Sequence, residues 1–147
     1  MSKSFDTPCV GICSTVYGDE VCLGCGRFYN EIIDWNSYHA DQKGSVFKRL
    51  EAIIIAATED KLSVVDKDLL AEQLERLNIR HNKAENPLCW AYHLLRRGHY
   101  RITEIDKYGI KIELSHSELS LTVLYQEIEK TFNRLSSEAF LAIKAKS

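Results

Sequence analysis

Four of the five cysteines lie close together near the start of the chain, as Cys9, Cys13, Cys22 and Cys25. Thiolates bind Zn²⁺ tetrahedrally or hold iron–sulfur clusters, and two short pairs joined by a turn gather four sulfurs at little cost in loop entropy. The spacing therefore predicts a metal centre with these four ligands. Reduced thiols or disulfides are the alternative, and a chain without a secretory leader disfavours disulfides.

The second pair stands in a Cys-Leu-Gly-Cys-Gly segment, in which Gly24 and Gly26 permit the positive φ angles that turn backbone amides toward the sulfurs. Four protein thiolates close the coordination sphere, so water has no open position on the metal and a hydrolytic role is not expected. The spacing does not separate Zn²⁺ from an iron–sulfur cluster. Both cofactors stay open.

The residues around the cysteines also resemble those of a known family. The shared residues are Pro8-Cys9-Val10, Cys13, Asp19, Cys22-x-Gly24-Cys25-x-Arg27 and Glu31-Ile32-x-x-Trp35. Over about residues 7–50 this pattern resembles the small bacterial domain of unknown function 1289, whose members are often described as iron–sulfur proteins. The resemblance implies a cysteine-bound metal centre and assigns no activity.

Composition indicates a folded protein: 45% of the 147 residues are hydrophobic and 27% are charged, with a net charge of −2. The longest apolar run, residues 53–57, is far shorter than a membrane span requires. The first residues lack the apolar segment of a secretory signal. A cytoplasmic location without a membrane partner is therefore predicted.

Apolar periodicity predicts a mainly helical chain. The first two expected helices cover residues 29–38, with Trp35 buried, and residues 45–58. A third is expected to open with a Ser63-x-x-Asp66 capping box and to end at Asn78, and a fourth to cover residues 87–98 after Asn86. A long helix is expected from a cap at Ser115 to a break at Ser136-Ser137, followed by a last helix at 138–145.

Alternating apolar and polar residues at 110–114 predict a β-hairpin with residues 100–106. The predicted architecture is thus a four-cysteine metal knuckle, residues 1–45, packed on a helical domain, residues 46–147, with its hairpin near 100–114. Three helices followed by a hairpin give this domain the element order of a winged helix.

Basic residues concentrate in residues 76–101, which carry six arginines and lysines and a single carboxylate, Glu85. On the helix 87–98, one face carries aromatic and basic side chains. The candidate nucleic-acid or partner contacts are Trp90, His93, Arg96, Arg97 and Arg101. Because the net charge is −2, the chain lacks the strongly basic character typical of nucleic-acid-binding proteins, and a protein partner is favoured.

The sequence contains no phosphate-binding loop, paired-carboxylate motif or hydrolase elbow, and no catalytic residues are predicted. Cys89, within an apolar helix, is expected to be a small buried side chain. The predicted function is that of a non-enzymatic small metalloprotein, whose zinc or iron–sulfur site is a structural or adaptor element for protein interaction. An iron–sulfur redox or sensor protein and a nucleic-acid-binding regulator are the alternatives.

Overall fold

In the computed structural model, which describes residues 7–11 and 13–146, helices predominate. The elements are α1 (Tyr29–Asp34), α2 (Ala40–Thr58), β1 (Leu62–Val64), α3 (Lys67–Arg76), α4 (Pro87–Gly98), β2 (Ile110–Ile112) and α5 (Leu121–Ala145), with short 3-10 turns between some of them. Over these residues the predicted fold class, mainly helical with one antiparallel pair of strands, is confirmed. Residues 1–6 and 12, which belong to the predicted domain 1–45, lie outside the described residues.

The described residues form two compact units. The first comprises residues 54–129, and the second, here called the cysteine unit, comprises residues 7–53 together with 130–146. Both α2 and α5 contribute residues to each unit. Packing does not test which part of the chain folds alone, so the predicted domain boundary between residues 45 and 46 stays a prediction.

The sheet of the first unit joins strands that are far apart in the sequence. β1 and β2 pair antiparallel, with Leu62 opposite Ile112 and Val64 opposite Ile110. The strand at residues 110–112 agrees with the prediction, but the predicted pairing with residues 100–106 is wrong. The carbonyl of Gly109 accepts the backbone N–H groups of Val65 (2.8 Å) and Asp66 (3.2 Å), which directs the strand toward β1.

Helix ends in this unit follow from local side-chain caps. α3 begins after Asp66, whose Oδ1 accepts the N–H of Leu69 at 3.0 Å, whereas Ser63 lies in β1 and the predicted capping box is wrong. The chain leaves α3 through Asn78, which adopts a φ of 57°. Asn86 caps α4 as predicted, since its Oδ1 accepts the N–H of Leu88 at 2.9 Å.

The cysteine unit packs apolar side chains from both of its chain segments. Phe28 and Phe140 meet edge to face with ring centroids 5.1 Å apart, and Trp35 is buried as predicted. The predicted helix break at Ser136 is wrong. α5 continues through this residue, which is 1% exposed, because packing outweighs the weak helix propensity of serine.

The N-terminal end of α5 also differs from the prediction. The helix starts at Leu121, where the Ser120 hydroxyl accepts the N–H of Val123 at 3.2 Å, and residues 114–116 form a 3-10 turn rather than the predicted cap at Ser115. Across residues 7–11 and 13–146, no helix combines the length and apolar character needed to cross a membrane.

Two glycines of the cysteine unit provide a matched test of its packing. Gly26 has a φ of 81°, and a Cβ there would lie 2.8 Å from the ring of Phe132, whereas Gly44 lies inside α2 with open space around it. Gly26→Ala should lower the free energy of unfolding by about 1–3 kcal/mol, and Gly44→Ala should raise it by about 0.5–1 kcal/mol. Urea denaturation would measure both; similar effects of the two changes would contradict this packing.

Candidate metal centre

The second cysteine pair lies in a tight loop closed by backbone hydrogen bonds. Val21 and Phe28 form an isolated antiparallel bridge at its base. Inside it, the N–H of Cys22 donates to the carbonyl of Arg27 and the N–H of Gly26 donates to the carbonyl of Cys22, each at 2.9 Å. The positive φ of Gly26 lets the chain reverse within these few residues. The loop fixes the second pair locally.

Both sulfurs of this loop accept hydrogen bonds from backbone amides. Cys22 accepts from the amides of Ser14, Gly24 and Cys25, and Cys25 accepts from the amide of Arg27. Such N–H···S bonds favour the charged form of a sulfur and orient it. These amides therefore favour the ionised form of the Cys22 sulfur.

The two thiols also interact with each other. The Cys25 thiol donates to the Cys22 sulfur, and this bond, with the backbone amides, lowers the pKa of Cys22 to about 4 despite its burial. The same bond, together with burial, raises the pKa of Cys25, although the charge of Arg27 opposes the rise. One sulfur is thus readily ionised while the other keeps the shared proton.

A buried guanidinium group accompanies the second cysteine pair. Arg27 is only 5% exposed, its Nε donates to Cys25 Sγ at 3.3 Å, and its Cζ lies 5.0 Å from the ring centroid of Trp35. Within the part of the chain that the structure describes, Arg27 forms no ion pair with a carboxylate. The cysteine sulfur is therefore the group within its reach that can become an anion.

A second arginine takes the buried carboxylate nearby. Both oxygens of Glu31 accept from Arg49, at 2.7 and 2.6 Å, and Glu31 also accepts the backbone N–H of Phe28 at 2.9 Å. The Arg49 guanidinium lies 4.0 Å from the Phe28 ring centroid. This network, which holds the chain just after Arg27, was not predicted, although a Glu three residues after Phe28 has the spacing of a capping box.

The first cysteine pair, Cys9 and Cys13, does not form a metal-binding cluster with the second pair. The sulfur of Cys9 accepts the N–H of Gly11 at 3.4 Å, and the sulfur of Cys13 lies 2.9 Å from the hydroxyl of Thr15. Among the residues that the structure describes, no group of three or more histidine, cysteine, aspartate or glutamate side chains is arranged to hold a metal ion. The predicted set of four ligands therefore stays a prediction.

The predicted contact residues of the first unit lie in different environments. Trp90 is 7% exposed and its indole N–H donates to the carbonyl of Asn82 at 2.8 Å, so it is a packing residue. His93 and Arg96 are half-buried as whole residues, although the ring atom Nε2 of His93 is fully buried. Arg97 and Arg101 are exposed, and Cys89 is buried as predicted. Only the two exposed arginines of this set present their charge freely to solvent.

The comparison with protein families agrees with the sequence pattern. Residues 7–53 match the model of the family described as "Protein of unknown function (DUF1289)", and the rest of the chain is not covered. No curated protein and no solved structure matches the chain. The match covers the N-terminal segment of the cysteine unit and brings no assigned activity with it.

The environment of His93 predicts a pH dependence of stability. Burial of its ring lowers the pKa to about 3, and the charges of Arg96 and Arg80 act in the same direction. As the pH falls, the unfolded chain, with an ordinary histidine pKa of about 6.5, takes up a proton before the folded protein does. The contribution of His93 to the free energy of unfolding is therefore fully present above about pH 6.5 and is lost as the pH drops toward 3.

Between about pH 7.5 and pH 5.5, the parent protein should lose about 1 kcal/mol more unfolding free energy than His93→Gln. Urea denaturation of both proteins at the two pH values would measure this difference. Equal losses would show that the folded state does not disfavour the imidazolium at this position.

Proposed function

We propose that Cys9, Cys13, Cys22 and Cys25 bind one Zn²⁺ ion or one iron–sulfur cluster, and that this centre is a non-catalytic structural element for binding a protein partner. Zn²⁺ would supply cross-linking of the two cysteine pairs, and a cluster would add the capacity to exchange an electron. Four thiolates saturate Zn²⁺, which supports a role without turnover.

The observation that carries the proposal is the burial of Arg27 beside Cys25. A guanidinium keeps its charge at all relevant pH values, and a buried charge is strongly unfavourable without an anion. The Cys22–Cys25 pair, with one shared proton, gives Arg27 a single negative charge, and a metal that displaces this proton would make both sulfurs anionic. Four thiolates around Zn²⁺ carry a net charge of −2, which suits a cation that donates directly to one ligand sulfur at 3.3 Å.

The two pairs fit a metal to different degrees. Cys22 and Cys25 already contact each other through their sulfurs and accept amide hydrogen bonds. Cys13 would exchange its contact with the Thr15 hydroxyl for a metal bond, and Cys9 would join it. Because the ligands are joined by short segments, metal binding would order the first pair as it folds onto the second.

Exposed apolar side chains support the interaction role. Within residues 16–33, four large side chains are mostly in solvent: Val16 is 73% exposed, Tyr17 87%, Leu23 55% and Ile33 74%. Large exposed apolar surface on a folded protein is typical of interaction sites. The ligands and these side chains share one short segment, so metal binding would also fix the proposed surface.

The nucleic-acid alternative has less support, because α4 keeps Trp90 buried and, of its two arginines, only Arg97 is exposed. A recognition helix needs several side chains that reach base edges. The redox or sensor alternative uses the same four cysteine ligands as the main proposal, but it requires an iron–sulfur cluster. Visible absorption of protein purified without oxygen distinguishes a coloured cluster from colourless Zn²⁺.

Cys22→Ser should remove the metal, because it replaces a buried ligand, whereas Cys89→Ala should keep it. Elemental analysis for zinc and iron after anaerobic purification would measure the content per chain. Full metal content in Cys22→Ser would show that the ligand assignment is wrong. The Cys89 variant controls for general effects of removing a buried thiol.

Arg27→Met tests the counter-charge separately, since it keeps all four sulfurs and a similar side-chain volume. Metal affinity should fall about 10- to 100-fold, as for other groups that orient a metal ligand. Competition with a chelator would measure the loss. An unchanged affinity would remove the observation on which the proposal depends.

The interaction role predicts that partner capture needs both the surface and the metal. Proteins retained from a lysate by the tagged parent should be lost with Ile33→Asp and with Cys22→Ser. They should be kept with Leu114→Asp, a matched change at a side chain that is 89% exposed in the first unit. Mass spectrometry of the retained proteins would compare them; the same proteins with Ile33→Asp and Leu114→Asp would refute this surface.

A further inference from the structure

The first unit contains a cleft that is independent of the cysteines. It consists of two adjoining pockets, each of about 270 Å³, which share Arg101 and Tyr108 in their walls. Each alone is small for a ligand site, since such sites usually measure about 300–1,000 Å³. A ligand of mononucleotide size would occupy both pockets together.

The first pocket carries an excess of positive charge. Arg76, Arg101 and Lys107 line it with a single carboxylate, Glu104, and that carboxylate is bound to Lys107 at 2.7 Å. Over the described residues, neither Arg76 nor Arg101 forms an ion pair. Two guanidinium groups therefore share one cavity without a counter-charge, in a protein whose net charge is −2.

The two guanidinium groups are also oriented by their neighbours. The Nε of Arg76 donates to Gln73 Oε1 at 2.8 Å, which leaves its terminal nitrogens for another acceptor. The Cζ of Arg101 lies 5.2 Å from the ring centroid of Tyr100. Two planar guanidinium groups that line one pocket match the oxygens of a phosphate better than those of a single carboxylate, because a phosphate offers three acceptors in different directions.

The second pocket has a different character. Leu77, Ile79, Ile102 and Tyr100 give it apolar and aromatic walls, and Arg97 lies at the same pocket. Tyr100 is 64% exposed and Leu77 38%, so both present apolar surface to an incoming molecule. Flat aromatic groups, including the faces of nucleobases, stack favourably on such side chains.

We infer that this cleft binds a phosphate ester that carries a flat aromatic group, of the mononucleotide class. The phosphate lies between Arg76 and Arg101, and the base lies against Tyr100 and Leu77. The same chemistry is offered by a free nucleotide and by a nucleotide within a single-stranded nucleic acid. This site is separate from the proposed metal centre and does not depend on it.

The test is calorimetric titration of the metal-loaded full chain with AMP and UMP, with adenosine, with inorganic phosphate and with a single-stranded oligonucleotide. A mononucleotide should bind with a Kd below about 1 mM and at least about tenfold more tightly than either of its parts. Arg76→Ala and Arg101→Ala should each weaken this binding about tenfold or more, because each removes charge-assisted hydrogen bonds. Arg101→Lys should restore only part of the loss.

Lys83→Ala is the matched control, because Lys83 is an exposed cation of the same unit that pairs with Glu75 outside the cleft. It removes the same charge and should leave the affinity unchanged. An equal loss in Lys83→Ala would indicate general charge attraction and overturn the inference. So would equal binding of phosphate and mononucleotide, or no binding of either nucleotide.

Tighter binding of the oligonucleotide, with the same dependence on Arg76 and Arg101, would identify nucleic acid as the source of the phosphate. Tighter binding of the mononucleotide would identify the free compound. Metal analysis of the same samples keeps the result distinct from the metal proposal, since nucleotide affinity should be the same in Cys22→Ser.

Discussion

A buried arginine and a half-buried one beside a single buried carboxylate are the constraint around which the cysteine unit is built. Arg49 takes both oxygens of Glu31, and Arg27, 5% exposed, is left with the sulfur of Cys25 and the face of Trp35. A folded interior tolerates such an imbalance poorly. Within this unit, an ionised cysteine sulfur compensates the charge of Arg27. The stability of the unit therefore depends on the ionisation of its cysteines.

The first unit depends on backbone geometry rather than on charge. Gly109 adopts a positive φ, and a Cβ at this position would overlap the carbonyl oxygen of Asp66. The same glycine accepts two backbone N–H groups at the end of β1, and Asp66 caps α3. A side chain at residue 109 would therefore disturb the sheet and the start of the helix together.

Sequence reasoning located most helices because apolar periodicity and side-chain caps are local signals, as at Asn86 and Trp35. It placed β2 but not its partner, because Leu62–Val64 is too short to show a clear alternation and its pairing depends on a distant residue, Gly109. The predicted helix break at Ser136 was wrong because tertiary packing outweighed the weak helix propensity of serine.

At the candidate site, the cysteine spacing was visible in the sequence, whereas the burial of a charged side chain was not. Sequence alone identified Arg27 as part of a family pattern, but its burial and its contact with Cys25 depend on the fold. The Arg49–Glu31 pair joins residues from α1 and α2, a separation that no short motif records. The cleft between Arg76 and Arg101 likewise requires a tertiary arrangement.

The composition of the cysteine unit has a consequence for biosynthesis. Its cysteines are translated early, but Phe132, which contacts the glycine of the loop, and Phe140, which packs on Phe28, belong to residues 130–146 and are made much later. The ribosome therefore exposes the four cysteines before these packing partners exist. The cysteine unit can therefore complete its packing only after Phe140 has been made.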